Sequence, residues 1–254
     1  MYSNQNVFRP SSMKVLFNTI LLLIIISCNQ VKSQNNNHSK QTITVETIYW
    51  EPEPEEANGI NCSISIEYPI LNGEGALISE INDQIKTQIS EDVEESKKLC
   101  SVEDIEPEDL PRRDNDLDIF FEGGSNSHII SLVIKKYVRP LGGAYAMKFF
   151  KYYNYILSNE SPLYLDEVVD IEKIKELCWE RVLLRDFDNR FTQNDLYNYL
   201  STTQNSNFVI TNEGLEIYLL PLDEDSYLLG EELCINLSID DIKDALKIDS
   251  SLLP

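Results

Sequence analysis

Histidine is nearly missing from this chain: His38 and His128 are the only two among 254 residues. A metal site built on three histidines is excluded by that count. Basic residues are also scarce, with 21 Lys and Arg against 43 Asp and Glu and a formal net charge of −22. Nucleic acid is therefore not an expected partner, because affinity for a phosphate backbone rests on lysine and arginine. There is no Gly-x-Ser-x-Gly elbow, no phosphate-cradling P-loop, no dinucleotide fingerprint and no Cys-x-x-Cys pair. With these motifs absent, neither an enzyme nor a bound cofactor or metal is expected. Long apolar runs are lacking too. The longest, Val15 to Ile26, is interrupted by Asn18 and Thr19, and falls short of the ~20 apolar residues that span a bilayer.

That short run has a different reading. Met13 reads as the start, Lys14 as a positive n-region and 15–26 as the h-region of an export signal. It ends in Ile25-Ile26-Ser27-Cys28, which resembles the lipobox of bacterial lipoproteins. Residues 1–27 are thus expected to be a signal peptide, with Cys28 the lipid-bearing residue and the membrane reached through it. Stable anchoring takes more than one acyl chain. The plainer alternative is an ordinary cleaved signal in which Cys28 is incidental. Residues 28–41 are rich in Asn, Gln, Ser and Lys and read as a flexible tether. The expected location is the cell envelope, facing the periplasm or the exterior.

Beyond Cys28 the cysteines are Cys62, Cys100, Cys178 and Cys234. An even number in an oxidising compartment suggests disulfides. The expected pairs are Cys62–Cys100 and Cys178–Cys234, which keep each bridge in one half of the chain. Four buried free thiols are the alternative.

Residues 42–50 and 62–70 read as strands, the second alternating Ile64, Ile66 and Tyr68 with Ser63, Ser65 and Glu67. After an Asn72-Gly73-Glu74-Gly75 turn, Leu77, Ile78, Ile81, Ile85, Ile89 and Val93 are spaced by three and four, which predicts an amphipathic helix over 76–99. An acidic, proline-containing stretch, 103–111, separates this β-α unit from the second half of the chain. Strands are expected at 118–122, 127–139 and 145–157, with a turn at 123–126 and His128 on the apolar face of the second. Helices are expected near 171–187 and 195–200, then strands at 208–211, 215–220 and 231–237 and a closing helix at 239–247. Strands come in blocks without regular β-α-β alternation, which argues for α+β. The expected organisation is a smaller β-α subdomain at 42–111, followed by an antiparallel meander with packed helices at 112–254.

Two features could bind a ligand. The aromatic strand around Tyr152 and Tyr153 would be a recognition patch if one face were open; the alternative is a strand packed on both faces. The Gly142-Gly143-Ala144-Tyr145 loop allows close backbone approach, although a plain hairpin needs the same glycines. Paired carboxylates could also act on a glycan, but with 43 acidic residues no pair stands out.

Tyr68-Pro69-Ile70, Ile81-Asn82, Gly142-Gly143-Ala144, the run Phe208 to Tyr218 and Gly230 occur in an order that resembles the RsiV-like extracellular domain family. This domain of unknown function is shared with the N-terminal region of PdaC-like peptidoglycan deacetylases. The resemblance spans about Cys62 to Lys247 and implies a non-enzymatic α+β domain at the envelope. In RsiV that domain binds lysozyme, so an acidic domain meeting a cationic muramidase is the implied partnership. Tyr145 stands where the family often has histidine. No sigma-binding segment, transmembrane helix or deacetylase domain accompanies the domain, so signalling to a sigma factor is not expected. A cell-wall component is the other expected binding partner, and the remaining readings are an envelope glycan-acting enzyme and a structural lipoprotein without a soluble ligand. Oligomeric state is open.

Overall fold

The computed structural model describes residues 43–51, 61–100, 114–140, 146–184, 192–219 and 233–249. Cys28 and the Gly142, Gly143 and Tyr145 loop lie outside them. The described residues form an α+β fold with two sheets. The larger has the order β1 (Ile43–Trp50), β2 (Asn61–Leu71), β3 (Asp114–Ser125), β4 (Ile129–Arg139), β5 (Met147–Ile156) and β6 (Ser161–Pro162). Its pairs are antiparallel except β2 with β3, which run parallel from Asn61↔Asp114 to Ile66↔Ile119.

That parallel pair follows from α1 (Ala76–Cys100), a 25-residue helix between the two strands. A parallel neighbour needs a long crossover, which a helix supplies. Leu77, Ile78, Ile81, Ile85, Ile89 and Val93 form the buried stripe of α1. The stripe meets Ile64, Ile66, Leu117, Ile119, Ile130 and Leu132 on one face of the sheet. The antiparallel meander expected after 111 is present as β3–β4–β5–β6. β2 of the preceding β-α unit joins it through the parallel ladder with β3, so strands on either side of 111/112 share one sheet.

The second sheet has the order β7 (Phe208–Ile210), β8 (Gly214–Leu219) and β9 (Leu233–Ser238), all antiparallel. One face carries Phe208, Ile210, Leu215, Ile217, Leu233, Ile235 and Leu237. It packs with α2 (Leu165–Val168), α3 (Ile171–Leu183), α4 (Gln193–Leu200) and α5 (Ile239–Ile242) around Ile174, Cys178, Val182, Leu196 and Ile242. Its other face presents Val209 and Tyr218 to Val133, Phe150 and Tyr152 of the large sheet. The layers are therefore α1, large sheet, small sheet, helices. Thr192 and Ser238 cap α4 and α5, each accepting from the backbone N–H three residues on.

Two side chains lock the sheets together. Asn154 Nδ2 donates to the carbonyls of Ser206 (3.0 Å) and Phe208 (2.9 Å), while the Ser131 hydroxyl donates to Asn154 Oδ1 (2.6 Å) and accepts from the Ile210 N–H (2.7 Å). β7 is an edge strand of its own sheet, and these side chains stand in for the missing ladder partner. Close approach at the same place explains Gly123. A Cβ there would lie 2.2 Å from the Ser131 carbonyl oxygen and 2.5 Å from Val209 Cγ2, and its φ is +101°.

Gly123 and Gly124 remain in register with Leu132 and Ser131, so β3 continues through the turn expected at 123–126. The chain instead reverses at Asn126, whose side-chain oxygen accepts from the N–H groups of His128 and Ile129 at 2.8 and 2.9 Å. His128 is exposed in that turn and not on the apolar face of β4. The closing helix ends at Ile242, short of the expected 247, and Leu246 bridges back to Val169.

Candidate functional site

Alternation assigns β3, β4 and β5 side chains to one face or the other of the large sheet. On the face opposite α1, Phe120 and Glu122 of β3 stand beside Lys135 and Val133 of β4, and these beside Phe150 and Tyr152 of β5. Glu216 and Tyr218 of β8 reach the same spot from the small sheet. The outcome is a polar seam with aromatic walls.

Lys135 is only 7% exposed. Its ammonium contacts Glu122 at 2.7 Å and lies over the Tyr218 ring, 4.8 Å from the centroid. The Tyr218 hydroxyl sits 2.9 Å from Glu122 Oε2 and 2.8 Å from Glu216 Oε2. The Phe150 and Tyr152 rings tilt against Tyr218 at centroid distances of 5.9 and 5.5 Å. These environments separate the two carboxyls. Burial works to raise Glu122, but hydrogen bonds from Lys135 and Tyr218 outweigh it and hold the group below its ordinary value. Burial, joined by the Glu122 charge, raises Glu216. Burial also pushes the Tyr218 phenol far up, so that it stays protonated.

The pair resembles the acid and base of a glycosidase only in composition. In those enzymes substrate occupies the space between the two carboxyls, whereas here the Tyr218 hydroxyl fills it. None of Glu122, Lys135, Glu216 and Tyr218 stood out as a site residue in the sequence. The available signal was Lys135, a lysine directly after the run Ile129 to Ile134, which is apolar but for Ser131.

Of the aromatic candidates, Tyr153 is 2% exposed and belongs to the core under α1. Tyr152 packs against Tyr218 on the opposite face. The strand is packed on both sides, and Phe149, 44% exposed beneath the Lys136 ammonium, is its accessible ring.

The cysteines divide unevenly. Cys62, at the start of β2, is bridged to Cys100, the last residue of α1. Cys178 and Cys234 are not joined in a disulfide, which corrects the expected second bridge. Leu233, Ile235 and Leu237 of β9 face α3, so Cys234 points to the other side of the sheet while Cys178 lies in the core beneath α3. The strand itself stands between the two sulfurs.

A groove of ≈ 680 Å³ runs along α1, lined by Glu80, Asp83, Gln84, Gln88 and Glu91, with Lys151 of β5 at its side. Among the described residues no helix is long and apolar enough to cross a membrane.

No protein-family model matches the chain, and no curated protein does. Among solved structures, it is similar to a DUF3298-family protein from Bacteroides fragilis NCTC 9343. That match has 15% identity and a TM-score of 0.41, covering 82% of this chain and 95% of the other. It is also similar to a DUF3298-family protein from Pseudomonas aeruginosa PAO1, with 10% identity and a TM-score of 0.48, covering 85% and 99%.

Proposed function

We propose that this chain is a lipid-anchored, non-catalytic binding protein of the cell envelope, held through Cys28 and taking a cationic protein as its partner. The groove along α1 carries this reading, because three carboxylates line it against one lysine in a chain whose net charge is −22. Such a field raises the on-rate of a positively charged partner. The Cys62–Cys100 bridge supports an oxidising compartment outside the cytoplasm. The RsiV-like resemblance supplies the specific partner, a lysozyme-type muramidase. A glycan-acting enzyme built on Glu122 and Glu216 is the second reading, and the filled gap between their carboxyls favours binding over catalysis.

The test is titration of the domain from residue 42 onward with lysozyme across a salt series, beside the variant E80Q/D83N/E91Q. We expect saturable binding that persists at moderate salt and weakens at least tenfold in the variant. Binding that vanishes with modest salt and extends to any cationic protein would reduce the reading to charge attraction. No binding at low salt would leave the structural lipoprotein. Cleavage of cell-wall glycan by the domain alone would favour the enzyme.

A further inference from the structure

The seam between the sheets contains one hydroxyl proton too few. Tyr218 Oη lies within hydrogen-bonding distance of both Glu122 Oε2 (2.9 Å) and Glu216 Oε2 (2.8 Å), and a phenol donates only once. If both carboxyls were ionised, one of these contacts would join two acceptors. A further proton completes the chain. Glu216 then donates to Tyr218, Tyr218 donates to Glu122, and Glu122 accepts from the Lys135 ammonium at 2.7 Å. Every short contact gains a hydrogen, and the cluster changes from net −1 to neutral.

We propose that Glu122, Tyr218 and Glu216 form a proton-dependent latch, in which a proton held by the Glu216 carboxyl fastens the small sheet to the large one and its loss loosens them. The groups converging here come from each neighbouring strand: Glu122 from β3, Lys135 from β4, the Tyr152 ring from β5, Tyr218 from β8 and the Cys234 thiol from β9. Only Lys135 is cationic among them, and Glu122 already holds it.

The direction of titration agrees with this geometry. Glu216 is raised above its ordinary 4.5, by burial first. Its contribution is complete below that value and fades as pH rises through the folded one. Glu122 is lowered, so its contribution is present above 4.5 and fades only as pH falls through its lowered value. The seam is therefore strongest in mildly acidic solution and weakens toward alkaline pH. If opening releases one proton, the closed-to-open ratio changes about tenfold per pH unit across the titration window.

The experiment is amide hydrogen exchange of the full chain from pH 5 to 8, corrected for intrinsic rates, in wild type and in Glu216→Gln. The glutamine amide donates to Tyr218 Oη at every pH. Protection of the β7 and β8 amides is expected to fall about tenfold per pH unit through the window in wild type and to stay flat in E216Q. Parallel pH profiles in the two proteins would overturn the latch. If E216Q fails to fold, carboxyl carbon-13 titration of the wild type decides. One glutamate titrating above the ordinary range supports the latch, and none doing so removes it.

Discussion

Replacing Asn154 by alanine is expected to lower the unfolding free energy by about 3–5 kcal/mol, the sum of leaving two or three buried polar groups without partners. Asn154 is 5% exposed, and its amide is the donor to the carbonyls of Ser206 and Phe208. Its oxygen takes the Ser131 hydroxyl proton, while that same hydroxyl accepts from the Ile210 N–H. Alanine removes both donors and leaves Ser131 without its acceptor. Water cannot readily replace them, since Phe208, Val209 and Ile210 are almost fully buried. Against a typical domain stability of ~5–15 kcal/mol, this is a large fraction. Urea unfolding is the check, with the midpoint falling steeply. Asn154→Asp should be worse still at neutral pH, because it also buries a charge facing two carbonyls. A loss below about 1 kcal/mol in the alanine variant would mean that β7 is held by apolar contacts alone.

This bracket shows where sequence reading stops. Ser131 and Asn154 occupy strand positions in which alternation predicts a face and nothing more. Their partners lie 79 and 54 residues away at Ile210 and Phe208. The charged seam is hidden for the same reason, with 96 residues between Glu122 and Tyr218. In a chain so rich in acids, two glutamates carry no mark of their convergence.

Local periodicity was legible. The three-and-four spacing of α1 gives the same six apolar residues that meet the sheet, and the Ser63/Ile64 alternation gives the correct buried face of β2. The parallel pairing of β2 with β3 was within reach, because a helix of this length between neighbouring strands permits a crossover. The position of Cys234 was also within reach. Leu233, Ile235 and Leu237 surround it at odd positions, so a period of two turns its thiol away from the helices. Keeping each bridge within one half of the chain is the weaker signal, and it leads to the wrong bridge.

The remaining bridge sets the second large expectation. Substituting both Cys62 and Cys100 by alanine should lower the unfolding free energy by about 4 kcal/mol on the loop-entropy account, since the link joins residues 38 apart. The sulfurs are buried beside Trp50. The Asn115 amide donates to the Ser96 carbonyl and lies 3.0 Å from Cys100 Sγ, so the end of α1 is fixed to β3 as well. Losing the bridge should therefore fray the last turns of α1 before the rest of the sheet opens, visible as early exchange of the amides near Lys97 and Leu99. Cys178 and Cys234 provide the internal control. Cys178 is fully buried and its thiol is pushed up to about 12 by burial, so it should resist alkylation in the native state. Cys234 is only half-buried and should react first. Peptide mapping of the unreduced protein should find one bridge in the domain; a Cys178–Cys234 peptide would require β9 to turn over, and finding Cys62 and Cys100 free would remove both the stability argument and the support for an oxidising compartment.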